Sequence, residues 1–308
     1  MGTPEIAATA LDALFAAELD VVGVITQPDK PKGRGYTLMP PPVKVLAQAH
    51  NVPVYQPERV RDEAFENLLH ELDPELIVVV AYGKILPKFV IDYPKYGCIN
   101  LHVSLLPKYR GAAPMQRAVM SGESETGVTV MYMDEGMDTG DIITTATFPI
   151  GPTDTFETVH DTSARLGAEL LPAVIATIAD GTVQRTPQNH AEATYAPKIE
   201  KEECEIDWSK PASVLDPYLR GITPIPMPYT YLPDGKLLKV CAAHPVKGSG
   251  TPGTILSLCE NGEGEIVVAC GEGALAITAL RPEGKGNMSA AAFIRGRRLS
   301  PDDKLGKV

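Results

Sequence analysis

The sequence predicts an α/β fold, a doubly wound and mostly parallel sheet that lacks its opening strand, followed by a small β-barrel domain. Three observations lead there. Short β-rich apolar runs alternate with helical patterns through the first half, the signature of βαβ units. Apolar periodicity fades between Asp180 and Asp207, where Gly181, Pro187, Asn189 and Pro197 punctuate a polar stretch. Beyond it, short apolar runs recur between glycine-rich turns at the close spacing of a small barrel. With 308 residues and roughly 100–200 per domain, the chain has room for two domains and a sizeable core.

The elements follow in order. Strands are expected near Val21–Thr26, Leu76–Ala81, Cys98–His102, Val128–Met133 and Ile142–Thr147. Between them, Ile6–Ala17 carries Leu11, Leu14 and Phe15 on one face, and Val43–Ala49, Glu63–Glu71 and Ala113–Ser121 also read as helices. Phe156–Ala179, with Leu166, Leu170, Leu171, Val174 and Ile178 at helical spacing, closes the first domain. The second domain holds Leu237–Ala242, Gly253–Leu258, Ile266–Ala269 and Leu275–Leu280. This divides the chain into a Rossmann-like domain at 1–180, a surface-crossing linker at 181–205 and a β domain at 206–308. One local feature breaks the pattern. A doubly wound domain opens with a strand feeding a glycine turn, but Met1-Gly2-Thr3-Pro4 is already the turn and Ile6 already the helix. A start assigned too far downstream is the favoured explanation and a gapped sheet the other. Absence of that strand would leave its neighbours unpaired.

Composition sets limits on function. Apolar residues make up 44% and charged residues 22%, ordinary for a folded, water-soluble chain and unlike a disordered one. A net charge of −11 argues against general polyanion binding. Residues 1–200 carry 15 basic and 26 acidic side chains, whereas residues 201–308 carry 13 of each, so a nucleic acid would have to meet the neutral third or a few basic loops. Cys98, Cys204, Cys241, Cys259 and Cys270 are scattered without a CxxC pair, which suggests neither disulfides nor zinc and fits the reducing cytoplasm. No run reaches the roughly 18 apolar residues of a membrane span.

Three segments carry chemistry. In Cys98-Ile99-Asn100-Leu101-His102 the alternation puts Asn100 and His102 on one face, about 7 Å apart, at the carboxyl end where such sheets bind ligands. An amide beside an imidazole can donate to a developing oxyanion, although a satisfied polar pair is the plainer reading of the spacing alone. The following loop, Ser104 to Pro114, is rich in Pro and Gly and suits ligand binding, or else merely enters a helix at Pro114. The second segment, Met133 to Asp141, is an acidic turn between two expected strands. Its spacing does not suit a metal, and Asp138 is the residue best placed to orient His102, against the alternative of an Asp-Gly hairpin. The third, Gln27 to Tyr36, places Lys30, Lys32 and Arg34 on a Pro- and Gly-rich loop, either solvated charge or a finger for phosphates.

INLHVSLLPKYRGAAP, followed about thirty residues later by MDEGMDTGD, resembles the shared core of enzymes that use 10-formyltetrahydrofolate. The opening GTP turn, the QPDKPKGRGYTLMPPPVKVLA loop and a C-terminal barrel after YAPKIEKEECEIDWS narrow the resemblance to the methionyl-tRNA formyltransferase family, over essentially the whole chain. Sugar-amine formyltransferases are the nearest competitor, and an inactive paralogue is a third possibility. The resemblance implies transfer of a formyl group to methionyl-initiator-tRNA by a metal-free, monomeric enzyme with an OB-like C-terminal domain. It implies that Asn100, His102 and Asp138 are catalytic and that Ser104, Leu105, Leu106 and Pro107, with Tyr82, Gly83, Leu86 and Pro87, hold the folate. Lys30, Lys32, Arg34 and Lys198 would meet tRNA. The sequence departs from the family at the missing first strand, at Val103 where Ala or Gly is usual, and in a barrel that is not basic.

Overall fold

A computed structural model describes residues 1–32, 37–296 and 299–307. The chain forms two compact units: Met1–Pro114, Glu125–Pro149 and His160–Ala196 make the first, while Met115–Ser124, Ile150–Val159 and Pro197–Val308 make the second. The elements of the first half are α1 (Glu5–Ala16), β1 (Val24–Ile25), β2 (Lys30–Lys32), β3 (Thr37–Met39), α2 (Pro42–Ala49), β4 (Val54–Tyr55), α3 (Glu63–Leu72), β5 (Ile77–Val79), α4 (Lys88–Asp92) and β6 (Cys98–His102). They continue through β7 (Arg110–Gly111), α5 (Pro114–Met120), β8 (Glu125–Tyr132), β9 (Ile142–Pro149), α6 (Phe156–Ala179) and β10 (Tyr195–Ala196).

The main sheet of the first unit has the order β5-β6-β8-β9. β5 and β6 are parallel, but β6-β8 and β8-β9 are antiparallel, so the expected mostly parallel sheet is in fact mixed. For β8 and β9 the physical reason is the acidic turn, which returns the chain directly alongside β8 as β9 instead of crossing over through a helix. β6 is buried along its whole length, and its Ile99 and Leu101 share one core with Ile6, Ala10 and Leu14 of α1 and Leu171, Val174 and Ile178 of α6. α6 lies close to the sheet because Gly167 has no side chain, and a methyl there would overlap Leu101.

β1 pairs in parallel with β4 in a separate two-stranded sheet. Its backbone is bridged toward β5 by the opening residues, where Gly2 N donates to Ile25 O and Val80 N donates to Met1 O, and its Ile25 packs with Ile77 and Val79 of β5. Beside this bridge lies an apolar cavity of about 530 Å³, lined by Ala10, Leu14, Val21, Val24, Ile25 and Leu76 among others.

The second unit contains α7 (Ala212–Gly221), β11 (Tyr229–Tyr231), β12 (Leu237–Val246), β13 (Ile255–Cys259), β14 (Glu265–Ala269), β15 (Ala274–Pro282), β16 (Met288–Ser289) and α8 (Ala290–Gly296). Its antiparallel sheet runs β11-β12-β15-β14-β13, with β16 added to β15. Among the described residues the sheet is open, not closed into a barrel, and β12 bends at a bulge between Val240 and Ala243. Trp208, Leu215, Leu238, Ile266, Leu275 and Phe293 are among the residues of its core.

Candidate active site

β6 ends where the main sheet opens toward the loops. Its pairing with β8 sets Asn100 against Met131 and His102 against Thr129, so the two functional side chains share a face as the alternation predicts. Both are nearly buried, Asn100 at 9% exposure and His102 at 5%.

The loop after β6 is held by its own polar groups. Thr129 Oγ1 donates to Ser104 O at 2.7 Å and accepts from Leu106 N, and Ser104 Oγ donates to Lys108 O at 2.7 Å. The loop then forms β7, which pairs in parallel with β10, and enters α5 at Pro114, where a proline costs no helical hydrogen bond. Gly111 lies at φ +120° with Ala196 O directly over its Cα, a position closed to any side chain.

This path brings backbone groups of residues 109–111 onto the catalytic candidates. His102 Nε2 lies 3.0 Å from Tyr109 O. A carbonyl can only accept, so Nε2 carries the proton and donates it. The other ring nitrogen, Nδ1, is 3.6 Å from Asp138 Oδ2, close but too long for a hydrogen bond. Asp138 Oδ2 accepts from Gly111 N at 2.8 Å. Asn100 makes no side-chain hydrogen bond among the described residues and is free to bind something else.

The acidic turn sorts its carboxylates. Asp134 Oδ1 accepts from Gly136 N and from Thr139 Oγ1 at 2.6 Å, bracing the turn. Glu135 lies 3.2 Å from Lys88 on the surface, and Asp141 is 4.0 Å from Arg185. Only Asp138 points at His102. Among the described residues no group of three His, Cys, Asp or Glu is arranged to hold a metal.

The expected folate segments have mixed exposure. Tyr82 is buried with its hydroxyl unpartnered, and burial pushes its pKa up to about 12. Ser104, Leu106 and Leu86 are also buried, whereas Leu105, Pro107 and Pro87 are half-buried. Gly83 is exposed and sits at φ +80°. These segments thus present their backbone and half-buried side chains at the surface of this region. Burial also raises Cys98 to about 12, which removes the nearest thiol as a nucleophile. Of the basic residues, Lys30 is exposed on the β2–β3 hairpin and Lys198 is exposed in the second unit. Arg34 lies outside the described residues.

Sequence reading missed two side chains here. Arg110 and Gln188 are both buried, and Gln188 falls in the stretch expected to cross the surface as a linker. That stretch is instead pinned to the site: Thr186 pairs with Ile142, and Arg110 N donates to Thr194 O.

Residues 1–175 match the formyl transferase family profile, and residues 198–298 match that of the formyl transferase C-terminal domain. The chain is 48% identical to a methionyl-tRNA formyltransferase of Citrifermentans bemidjiense, over 100% of the chain and 95% of that relative. It is also 48% identical to one of Pseudomonas entomophila, over 96% of the chain and 94% of the relative. Among solved structures, the fold is shared with an N-formyltransferase of Helicobacter canadensis complexed with folinic acid and dTDP-3-aminofucose. The TM-score is 0.65 at 20% identity, covering 90% of the chain and 96% of that structure.

Proposed function

Because the chain belongs to the methionyl-tRNA formyltransferase family, we propose that Asn100, His102 and Asp138 are the residues with which it transfers the formyl group of 10-formyltetrahydrofolate to the amino group of methionyl-initiator-tRNA. The observation that carries the assignment is a nearly buried, unpartnered Asn100 amide beside a His102–Asp138 pair at the open end of β6.

The roles follow from the donor and acceptor inventory. Bound at this site, 10-formyltetrahydrofolate supplies an electrophilic formyl carbon. Asn100 Nδ2 donates to the formyl oxygen, which gains negative charge as the amine adds. His102 donates a hydrogen bond from Nε2–H to Tyr109 O, which as the neutral ring leaves the lone pair at Nδ1, facing Asp138. A proton entering that gap is shared by two acceptors, so the pair takes the proton that the attacking ammonium must lose. Asn100 is thus the oxyanion donor and His102 acts with Asp138 on the proton, while the bond between the formyl carbon and N10 of the folate breaks, N10 takes up a proton and tetrahydrofolate leaves.

The half-buried Leu105–Pro107 segment, with Ser104 as its brace, and the Tyr82–Pro87 segment with Gly83 and Leu86 form the folate-binding loops. Lys30, Lys32 and Arg34 on the basic loop, with Lys198, contact the phosphates of the tRNA. Replacing the three loop cations by Ala raises the KM for tRNA and flattens its salt dependence, while the KM for the folate holds. The open sheet of the second unit is the OB-like half of the protein, and the enzyme works as a cytoplasmic monomer.

Transfer of labelled formyl to methionyl-initiator-tRNA, with a dTDP-amino sugar as control acceptor, tests the reading. Label on the tRNA alone is expected, and label on the sugar alone overturns it.

A further inference from the structure

We propose that Gln188 is a positioning residue for the transfer, holding Asp138 in the backbone conformation that aims its carboxylate at His102. The proposal rests on the catalytic reading of Asp138 given above.

Asp138 sits at φ +53°, in the left-handed region that a residue with a side chain occupies only when its surroundings hold it there. Two clamps do so. One is at the carboxylate, where Gly111 N donates to Oδ2. The other is at the backbone, where Gln188 Nε2 donates to Asp138 O at 2.9 Å and to Gly140 O at 2.7 Å. Both amide hydrogens of Gln188 are therefore spent on the acidic turn, bridging the two carbonyls on either side of Thr139.

Gln188 is itself held. Its Oε1 accepts from Arg110 Nη2 at 2.6 Å and from Arg110 Nε at 3.2 Å. Arg110 is 2% exposed, and its Nη2 also lies 3.1 Å from His190 Nδ1. A guanidinium only donates, so the orientation of the Gln188 amide is fixed with oxygen toward Arg110 and nitrogen toward the turn. Arg110 lies between Tyr109, whose carbonyl anchors His102, and Gly111, whose N–H anchors Asp138. One short strand thus sets the ring directly and the carboxylate twice, once through Gly111 N and once through Gln188. The relative position of His102 Nδ1 and Asp138 Oδ2 depends on all of these bonds, and a misplacement of an ångström at such a pair is costly.

Gln188→Met keeps the length of the side chain and removes both donors. It is expected to lower kcat by about 10–100-fold, as loss of an outer-shell partner does, with the KM for tRNA and folate little changed. In an Asp138→Ala background the same substitution should cost less than about twofold, because the group it positions is gone. A loss of equal size in both backgrounds, or a loss confined to KM, overturns the proposal. If Asp138→Ala alone leaves kcat within about threefold of the parent, the catalytic reading fails first and the proposal falls with it. Should Gln188→Met not fold, Gln188→Glu takes its place in the same cycle. It keeps the bonds to Arg110 but turns an oxygen toward the two carbonyls, and the same outcomes decide.

Discussion

The two halves of the first unit are built differently. On one side, β6 is flanked by β5 and β8, buried along its length, and followed by a loop whose polar groups are tied to Thr129, Thr194 and Ala196. On the other, β1 has β4 along one edge and its backbone is joined toward β5 through Met1 and Gly2, with a cavity of about 530 Å³ beside it. The candidate site occupies the first half. Its geometry is fixed by bonds among residues 98–141 and 186–196, and none of them crosses the cavity. Placement of the His102–Asp138 pair uses no bond from the β1 side, and substitutions in the two halves should act on different observables.

The largest effect is expected at Asn100. Asn100→Ala removes a donor with no partner among the described residues, so formyl transfer should fall by about 10²–10³-fold. Thermal stability should not fall, because a buried polar group without a partner costs folding free energy. Initial rates and a melting curve on the same preparation check both halves of this expectation. A melting point that falls along with the rate would show Asn100 to be structural.

Adding carbon in the two halves should have opposite signs. Gly167→Ala drives a methyl into Leu101, where α6 packs on β6, and should destabilise by about 1–3 kcal/mol. Ala10→Leu extends from α1 into the cavity and should stabilise by about 0.5–2 kcal/mol. Denaturant midpoints measure both. If Ala10→Leu destabilises as Gly167→Ala does, the cavity is not free apolar space and the contrast between the halves is lost.

What could be read from the sequence follows the same division between local and long-range causes. β6 is found at its expected bounds, as is α6, because each is a long run with a clear period. Asn100 and His102 share a face because alternation requires it, and Asp138 stands out in the sequence because it lies in the middle of the acidic turn. The mixed sheet was less legible, since strand direction depends on how the chain returns and not on the strand's own residues. α7, with Pro217 inside it, and the three-residue β11 carry too weak a pattern to register. Gln188 was hidden for a different reason. A glutamine among Pro187 and Asn189 reads as surface, and only the pairing of β7 with β10, two residues long, buries it against Arg110. Two-residue ladders have no period to detect.

The central claim is that the His102–Asp138 pair handles the proton of the attacking amine, and the rate of a single turnover with both substrates saturating tests it most directly. Asp138→Asn keeps the shape of the side chain and an oxygen for Gly111 N. The account predicts that this variant transfers formyl about 10²–10⁴-fold more slowly than the parent, with both substrates still bound. A single-turnover rate within about threefold of the parent would contradict it.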